Sequence, residues 1–170
     1  MPFDSPLTET AIPEEFGRIV DIAPIREGNQ AIWLMVAESG DLFRMNASSG
    51  HWARVVSAPF IWEPDHEPWN GHALKHRLHV SHHGEFAAMV NDYGRYGQVI
   101  DLRSGAVTMT LDGGDYHPET VPFSFAFVEL KGRVVAIHRT SWNRLDISDP
   151  SNGELLTSRG PTSYQHGEQR

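Results

Sequence analysis

One polar turn occurs three times in this sequence, each time after a short apolar-rich segment and each time ending in glycine. The copies are Asn46–Gly50, Asp101–Gly105 and Asp149–Gly153, roughly 50 residues apart. Glycine supplies a positive φ angle at no steric cost, and Asn, Asp and Ser side chains hydrogen-bond to their own backbone, so the pattern is typical of tight turns between antiparallel strands. The first prediction is therefore a fold built from repeated hairpin-containing units.

Strand-like segments around these turns fall into three sets of four, and helical periodicity is nearly absent. The sets are Arg18–Ile25, Ala31–Ala37, Asp41–Asn46 and Trp52–Val56; Leu78–Ser81, Phe86–Asn91, Gly97–Leu102 and Ala106–Leu111; and Phe123–Leu130, Arg133–His138, Arg144–Ile147 and Glu154–Thr157. We predict an all-β fold of consecutive four-stranded antiparallel meanders, a partial β-propeller. The expected core residues are Trp33, Met35, Phe43, Val80, Met89, Ile100, Phe125, Phe127, Val135, Ile137 and Ile147.

Three segments carry a resemblance to a known family. Val99–Gly105 resembles the end of the third strand in WD40-like blades, and Leu145–Gly153 is a longer version of it. Leu78–Ala88 is similar to the Ser-Pro-Asp-Gly segment and apolar strand of many bacterial propellers, although His82 and His83 replace Pro-Asp and no blade carries the Trp-Asp dipeptide. The chain thus resembles a bacterial WD40-like β-propeller protein, and this resemblance implies a fold but no activity.

The number of predicted blades is the main departure from that family. Residues 1–170 form one predicted domain with blades at about 18–56, 78–111 and 123–157 and a polar tail at 160–170. Propellers have about four to eight blades, so three are too few to close a ring. We expect the chain to be part of a longer propeller or to complete itself with another chain, through self-association or a partner. The alternative is a compact three-sheet domain or a β-sandwich.

All the long predicted connections leave the same end of the meanders, because strand direction alternates. They are Ser57–Arg77, Asp92–Tyr96, Asp112–Thr120 and Arg139–Asn143, whereas short turns, including Glu38–Asp41, His82–Glu85 and Leu130–Gly132, are assigned to the opposite end. Aromatic side chains on scaffolded loops are typical of binding surfaces. The predicted partner-binding residues are Phe60, Trp62, Trp69, Tyr93, Tyr96, Tyr116 and Trp142.

Composition excludes several classes of function. A formal charge of −8 argues against nucleic-acid binding, which needs clustered Lys and Arg. The chain has no Cys, and no apolar run approaches the ~18 residues of a membrane span, so we expect no thiol chemistry and no membrane partner. The expected location is the cytoplasm.

Possible chemistry in the sequence matches no specific motif. The candidate metal ligands are His66, His72, His76 and His117, but no His-Glu-x-x-His segment occurs and no metal or cofactor is predicted. Ser141 near His138 lacks a nucleophile elbow, and the Asp112–Asp115 segment reads as an ordinary loop. Asp101 and Asp146 are interpreted as one recurring structural position that caps a turn or bonds a neighbouring strand's backbone.

The sequence therefore favours a non-catalytic protein-interaction module that binds a partner protein through its long-loop end. Two alternatives stay open at this stage. One is a small-ligand-binding propeller or a metal-dependent hydrolase or lyase, and the other is an antitoxin-type or immunity-type binder, because an acidic surface attracts basic partners.

Overall fold

The computed structural model describes residues 11–56, 76–91, 96–112, 125–141 and 144–159. Within these ranges the one helical element is a 3₁₀ turn at Glu14–Phe16. The strands are β1 (Ile19–Glu27), β2 (Gln30–Ala37), β3 (Leu42–Asn46), β4 (Trp52–Val56), β5 (His76–Val80), β6 (Phe86–Asn91), β7 (Tyr96–Asp101), β8 (Val107–Asp112), β9 (Phe125–Leu130), β10 (Arg133–Ser141), β11 (Arg144–Ser148) and β12 (Leu155–Arg159).

These strands form three sheets, and each sheet is an antiparallel meander of four consecutive strands. The first sheet has the order β1-β2-β3-β4, the second β5-β6-β7-β8 and the third β9-β10-β11-β12. The prediction of an all-β fold made of consecutive four-stranded meanders is confirmed. Most strand bounds differ from the predicted ones by no more than a few residues.

Two hydrogen bonds of the repeated turn recur in every sheet. Asn46 Oδ1 accepts from the N–H of Ser48, Asp101 Oδ1 from that of Arg103 and Asp149 Oδ1 from that of Ser151, each at 2.9 Å. Each closing glycine has a positive φ angle and donates its N–H to the carbonyl oxygen of the residue four positions earlier, at 2.8 Å. Asn and Asp are thus interchangeable here, because both supply the oxygen that the turn requires.

The first strands of the three sheets lie next to one another and run in the same direction. Asp21 Oδ2 accepts the N–H of Leu78 at 2.8 Å, and Gly84 lies close to Ile25 further along β1. Between β5 and β9, the ring of His79 packs on Phe125, with centroids 5.4 Å apart, and the imidazole of His83 lies 3.4 Å from the Glu129 carboxylate, in the same order along both strands. The three sheets therefore stack side by side with their first strands parallel to one another.

Each sheet has a preceding face, toward the sheet before it in the chain, and a following face on its other side. Alternation along each strand decides which residues lie on which face. The layer between the first two sheets contains Ile25, Ile32, Leu34, Val36, Leu42, Ala87, Met89 and Ile100. The layer between the second and third sheets contains Ala88, Val90, Val99, Met109, Leu111, Phe125 and Ala136.

The preceding face of the first sheet explains one wrong expectation about the core. Trp33 is 36% exposed, although Ile32 and Leu34 beside it are buried in the first layer. Its side chain lies on the preceding face, where, among the described residues, the ring of Phe16 stacks on Phe43 at a centroid distance of 3.9 Å. Met35, Phe43, Met89, Ile100, Phe125 and Val135 are buried as expected, whereas Val80, Phe127, Ile137 and Ile147 are half-buried.

The common direction of the sheets defines two ends of the molecule. The loop end is where β1, β5 and β9 begin, and the turn end is where they finish. The segments 57–75, 92–95, 113–124 and 142–143 lie outside the described residues, and the strands on either side of them stop and start at the loop end. Glu38–Asp41 joins β2 to β3 and also lies at the loop end, so its assignment to the opposite end was wrong.

Gly97 in β7 makes a close approach that only glycine permits. A Cβ atom there would lie 2.4 Å from Val90 Cγ1 and 2.7 Å from the Met89 carbonyl oxygen. Because a backbone oxygen would have to shift, Gly97→Ala is expected to lower the free energy of unfolding by about 1–3 kcal/mol, measured by urea denaturation.

The matched control is Gly132→Asn in the β9–β10 turn, where a Cβ would have no atom within 4 Å. Asn tolerates the positive φ of Gly132, so this variant should lose less than about 1 kcal/mol. Equal losses in the two variants would contradict the packing argument.

Candidate functional site

The third sheet departs from the other two at one position of the repeat. When the sheets are aligned on the repeated turn, the cross-strand pair Met35–Phe43 of the first sheet corresponds to Met89–Gln98 and then to His138–Asp146. The residue before each turn is Met45, Ile100 and then Ser148. Three mainly apolar positions of the preceding face are therefore polar in the third sheet.

His138, Asp146 and Ser148 form a buried polar cluster on the preceding face of the third sheet, and the exposed Ser158 on the neighbouring strand bonds to it. His138 is 9% exposed, Asp146 6% and Ser148 2%. The His138 Nε2 atom lies 3.2 Å from Ser148 Oγ, and the Ser158 hydroxyl donates to Asp146 Oδ1 at 2.5 Å. Buried polar groups are tolerated where they are hydrogen-bonded in this way.

Burial sets the charge state of the histidine. Desolvation lowers the pKa of His138 below its ordinary value, and the nearby Asp146 carboxylate opposes this shift only in part. His138 is therefore neutral at pH 7, with one ring nitrogen as donor and the other as acceptor. In this form it can exchange hydrogen bonds with a serine hydroxyl or with a bound polar group.

A groove of about 400 Å³ opens beside the cluster, between β8 and the third sheet. Its lining residues are Thr108, Met109, Thr110, His138, Asp146, Ser148, Asn152, Gly153 and Leu155. The Thr108 hydroxyl donates to the Pro150 carbonyl oxygen at 2.6 Å and so ties the second sheet to the third sheet's turn. Ser148 is almost fully buried, which argues against nucleophilic attack by its hydroxyl.

The alignment of the turns also corrects the interpretation of two aspartates. Asp101 corresponds to Asp149, because both begin the repeated turn, whereas Asp146 corresponds to Gln98 and Phe43. Asp101 accepts hydrogen bonds from its own turn and so has the capping role, and the Asp21 carboxylate accepts a backbone N–H of the neighbouring sheet, that of Leu78. Counting residues back from each closing glycine shows, from the sequence alone, that Asp101 and Asp146 hold different positions in the repeat. The same count would have revealed the polar cluster.

The predicted partner-binding and metal-ligand residues fall largely outside the described part of the chain. Tyr96 and His76 are the first residues of β7 and β5, at the loop end. Among the described residues, no group of three or more His, Asp or Glu side chains could hold a metal ion. No helix within these same ranges has the length and apolar character needed to cross a membrane. The residues outside the described ranges are Phe60, Trp62, His66, Trp69, His72, Tyr93, Tyr116, His117 and Trp142.

The stability of the protein should depend on pH through its buried histidines. Burial lowers the folded-state pKa of both His79 and His138, so below about pH 6.5 the unfolded chain takes up protons first. The free energy of unfolding should therefore fall as the pH is lowered from neutral to about 5.5. His138→Met, which introduces the residue of the two equivalent positions, should make this fall shallower in urea denaturation.

The matched control for this variant is His51→Met, at an exposed position beside the first repeated turn. It should leave the slope of stability against pH unchanged. If the stability of His138→Met fell with decreasing pH as steeply as that of the parent, burial of this imidazole would not be the cause of the pH dependence.

Comparisons with known proteins bear on the fold. No protein-family model and no curated protein sequence matches the chain. Among solved structures, BamB from Moraxella catarrhalis is similar with a TM-score of 0.50 at 18% identity, over 84% of this chain and 38% of BamB. Apo AztD from Citrobacter koseri has a TM-score of 0.46 at 9% identity, over 81% of this chain and 33% of AztD. Both are β-propeller proteins, and the likeness to BamB together with the three stacked meanders identifies the fold as part of a β-propeller.

Proposed function

We propose that this chain is a non-catalytic protein-interaction module, in which three propeller blades present a binding surface for a partner protein at the loop end. The observation that carries the proposal is the common direction of β1, β5 and β9, fixed by the contacts of Asp21 with Leu78 and of His83 with Glu129. Because the sheets share one direction, the two long connections, 57–75 and 113–124, join the scaffold at the same end, together with 92–95 and 142–143. The connection predicted at Arg139–Asn143 is shorter than expected, because β10 continues to Ser141. The finer assignments, a WD40-like repeat and a cytoplasmic location, belong to the same proposal.

The composition of the loop-end segments supports this function. They contain six of the seven predicted partner-binding aromatics, whereas the turn end has short turns that are rich in Gly, Ser, Asn and Asp. Aromatic residues dominate the energetics of protein interfaces, and binding residues are common on loops held by a rigid scaffold. The turn-end side chains are largely occupied in holding their own turns, as Asn46 and Asp101 show.

A second function, the binding of a small ligand, is favoured by the polar cluster and its groove. Three mainly apolar positions of the repeat are replaced there by groups that can donate and accept hydrogen bonds. A ligand found by thermal-shift screening should lose its stabilising effect in Ser148→Ala and keep it in Ser104→Ala, whose hydroxyl serves only the second turn. A ligand that stabilised both variants like the parent would lie elsewhere.

The loop-end proposal predicts where a partner contacts the chain. A photo-crosslinking amino acid at Trp62 or Trp69 should capture one partner protein in cells, and the same amino acid at Ser49 or Ser104 of the turn end should not. Truncation of a hot-spot aromatic costs about 2–4 kcal/mol of binding free energy, so Trp62→Ala or Trp69→Ala should weaken the Kd of that partner by about 30-fold to 1,000-fold.

Ser49→Ala and Ser104→Ala are the matched controls and should change the binding free energy by less than about 0.5 kcal/mol. Circular dichroism would verify that all four variants remain folded. If the turn-end variants abolished binding while the tryptophan variants bound like the parent, the wrong end would have been assigned.

A further inference from the structure

We infer that the groove between β8 and the third sheet binds a small organic cation, a molecule that carries an ammonium or guanidinium group on an apolar body. The inference rests on the second function proposed above, small-ligand binding, and adds the chemical class of the ligand. It is independent of partner binding at the loop end, because Asn152 and Gly153 of the third repeated turn line the groove and lie at the turn end.

The groove lies where shorter polar side chains replace longer ones of the repeat. Ser148 occupies the position that Ile100 has in the second sheet, and Asp146 occupies the position of Gln98. Ile100 is fully buried in the layer between the first two sheets. The smaller Ser148 fills less of the equivalent space in the next layer, beside a groove of about 400 Å³. Ligand pockets in proteins have volumes of about 300–1,000 Å³, so a small molecule fits here.

The charge of the groove comes from one carboxylate. Among the described residues that line it, Asp146 is the one Asp or Glu, and none is Lys or Arg. His138 adds no charge at pH 7, because burial lowers its pKa. The lining therefore carries a negative charge, and the chain as a whole has a formal charge of −8. These charges attract a cation and repel an anion.

The Asp146 carboxylate is oriented by the strand beside it and can accept further hydrogen bonds. The Ser158 hydroxyl donates to Oδ1 at 2.5 Å. An ionised carboxylate has two oxygens with about four acceptor sites, so it can accept the N–H groups of a ligand in addition to this hydroxyl. Hydrogen bonds between ionised partners are roughly twice as strong as neutral ones. A positively charged donor is thus the best match for a carboxylate that is 6% exposed.

The walls of the groove favour an organic molecule over a metal ion. Met109 of β8 and Leu155 of β12 are apolar, and Leu155 is 49% exposed beside its cross-strand partner in the polar cluster. Met109 packs on the third turn, since a Cβ atom at Gly153 would lie 3.4 Å from Met109 Cγ. The described lining has two side chains of the usual metal-binding types, His138 and Asp146, whereas zinc sites in proteins use about three or four. Apolar walls next to a carboxylate instead match a hydrocarbon body with a cationic head.

Three probes of similar shape test this assignment. Benzylamine, benzyl alcohol and benzoate are cationic, neutral and anionic, respectively, at about pH 7. In chemical-shift titrations of the isotope-labelled protein, benzylamine should bind with a Kd of about 1 mM, as expected for so small a ligand. Its shifts should map to Thr108–Thr110 and Ser148–Leu155. Benzyl alcohol and benzoate should bind about 10-fold more weakly or less, because only the amine forms a charged hydrogen bond with Asp146.

Asp146→Asn removes the charge and keeps a carbonyl oxygen for the Ser158 hydroxyl. It should weaken the Kd of benzylamine by about 10-fold or more and change that of benzyl alcohol by less than about 2-fold. Asp149→Asn is the matched control. It makes the same change in net charge outside the described lining, at a position where the first turn has Asn46. Because exposed charges are screened by salt, its Kd for benzylamine should stay within about 2-fold of the parent value.

Other results would overturn the inference. Equal weakening of benzylamine in the two Asn variants would show general attraction to an acidic protein. Benzyl alcohol that bound the parent as tightly as benzylamine would show a neutral ligand class, a comparison that holds even if Asp146→Asn does not fold. Absence of binding by benzylamine up to about 10 mM would also overturn it. In these last two cases, a ligand from the thermal-shift screen that requires Ser148 would still support the second function, whereas failure to find such a ligand would count against that function itself.

Discussion

The first two described sheets each have two largely apolar faces, and this constraint determines much of the rest of the structure. A four-stranded sheet with Leu34 on one face and Met35 on the other cannot bury both faces by itself. Burial of one such side chain contributes about 1.5–3 kcal/mol, so stacking of the sheets outweighs any local strand preference. The first strands of the sheets, β1, β5 and β9, stack in one direction. The turn that follows each odd-numbered strand therefore lies at the turn end, and the connection that follows each even-numbered strand lies at the loop end. The division between a turn end and a loop end thus follows from packing.

The sequence predicts the parts of the fold whose chemistry is local. The repeated turn needs a glycine at positive φ and an Asn or Asp oxygen, both of which can be read from Asn46–Gly50 and its two counterparts. Once the turns are located, the strands and the three meanders follow. Burial was predicted less well, because alternation tells which residues share a face and not whether that face is covered. Trp33 and Met35 lie on the same face, yet Trp33 is 36% exposed and Met35 5%, and Phe16 stacks on Phe43, the cross-strand partner of Met35.

The candidate site shows the same division between local and long-range information. Asp101 and Asp146 differ in position within the repeat, because register depends on the number of residues before the turn. A bulge-free count along β11 places Asp146 opposite His138 and three positions before Asp149. His138, Asp146 and Ser158 are separated by 8 and 12 residues and meet only across neighbouring strands. The aromatic residues assigned to partner binding stay a prediction, because most of them lie outside the described ranges.

Because of the polar cluster, the contact between the second and third sheets differs in chemistry from the contact between the first and second sheets. The layer between the first two sheets is mainly apolar, with Gln98 as a polar residue beside Met89, whereas the layer between the second and third includes His138 and Ser148 with their mutual hydrogen bond. A buried polar group that loses its hydrogen bond costs about 1–3 kcal/mol, so the preceding face of the third sheet is a poor match for a wholly apolar surface. The Thr108 hydroxyl of the second sheet, bonded to the Pro150 carbonyl, adds a polar contact at the same junction. In a molecule built from three similar sheets, these polar contacts favour one stacking order over the others, while the apolar layers supply most of the stability.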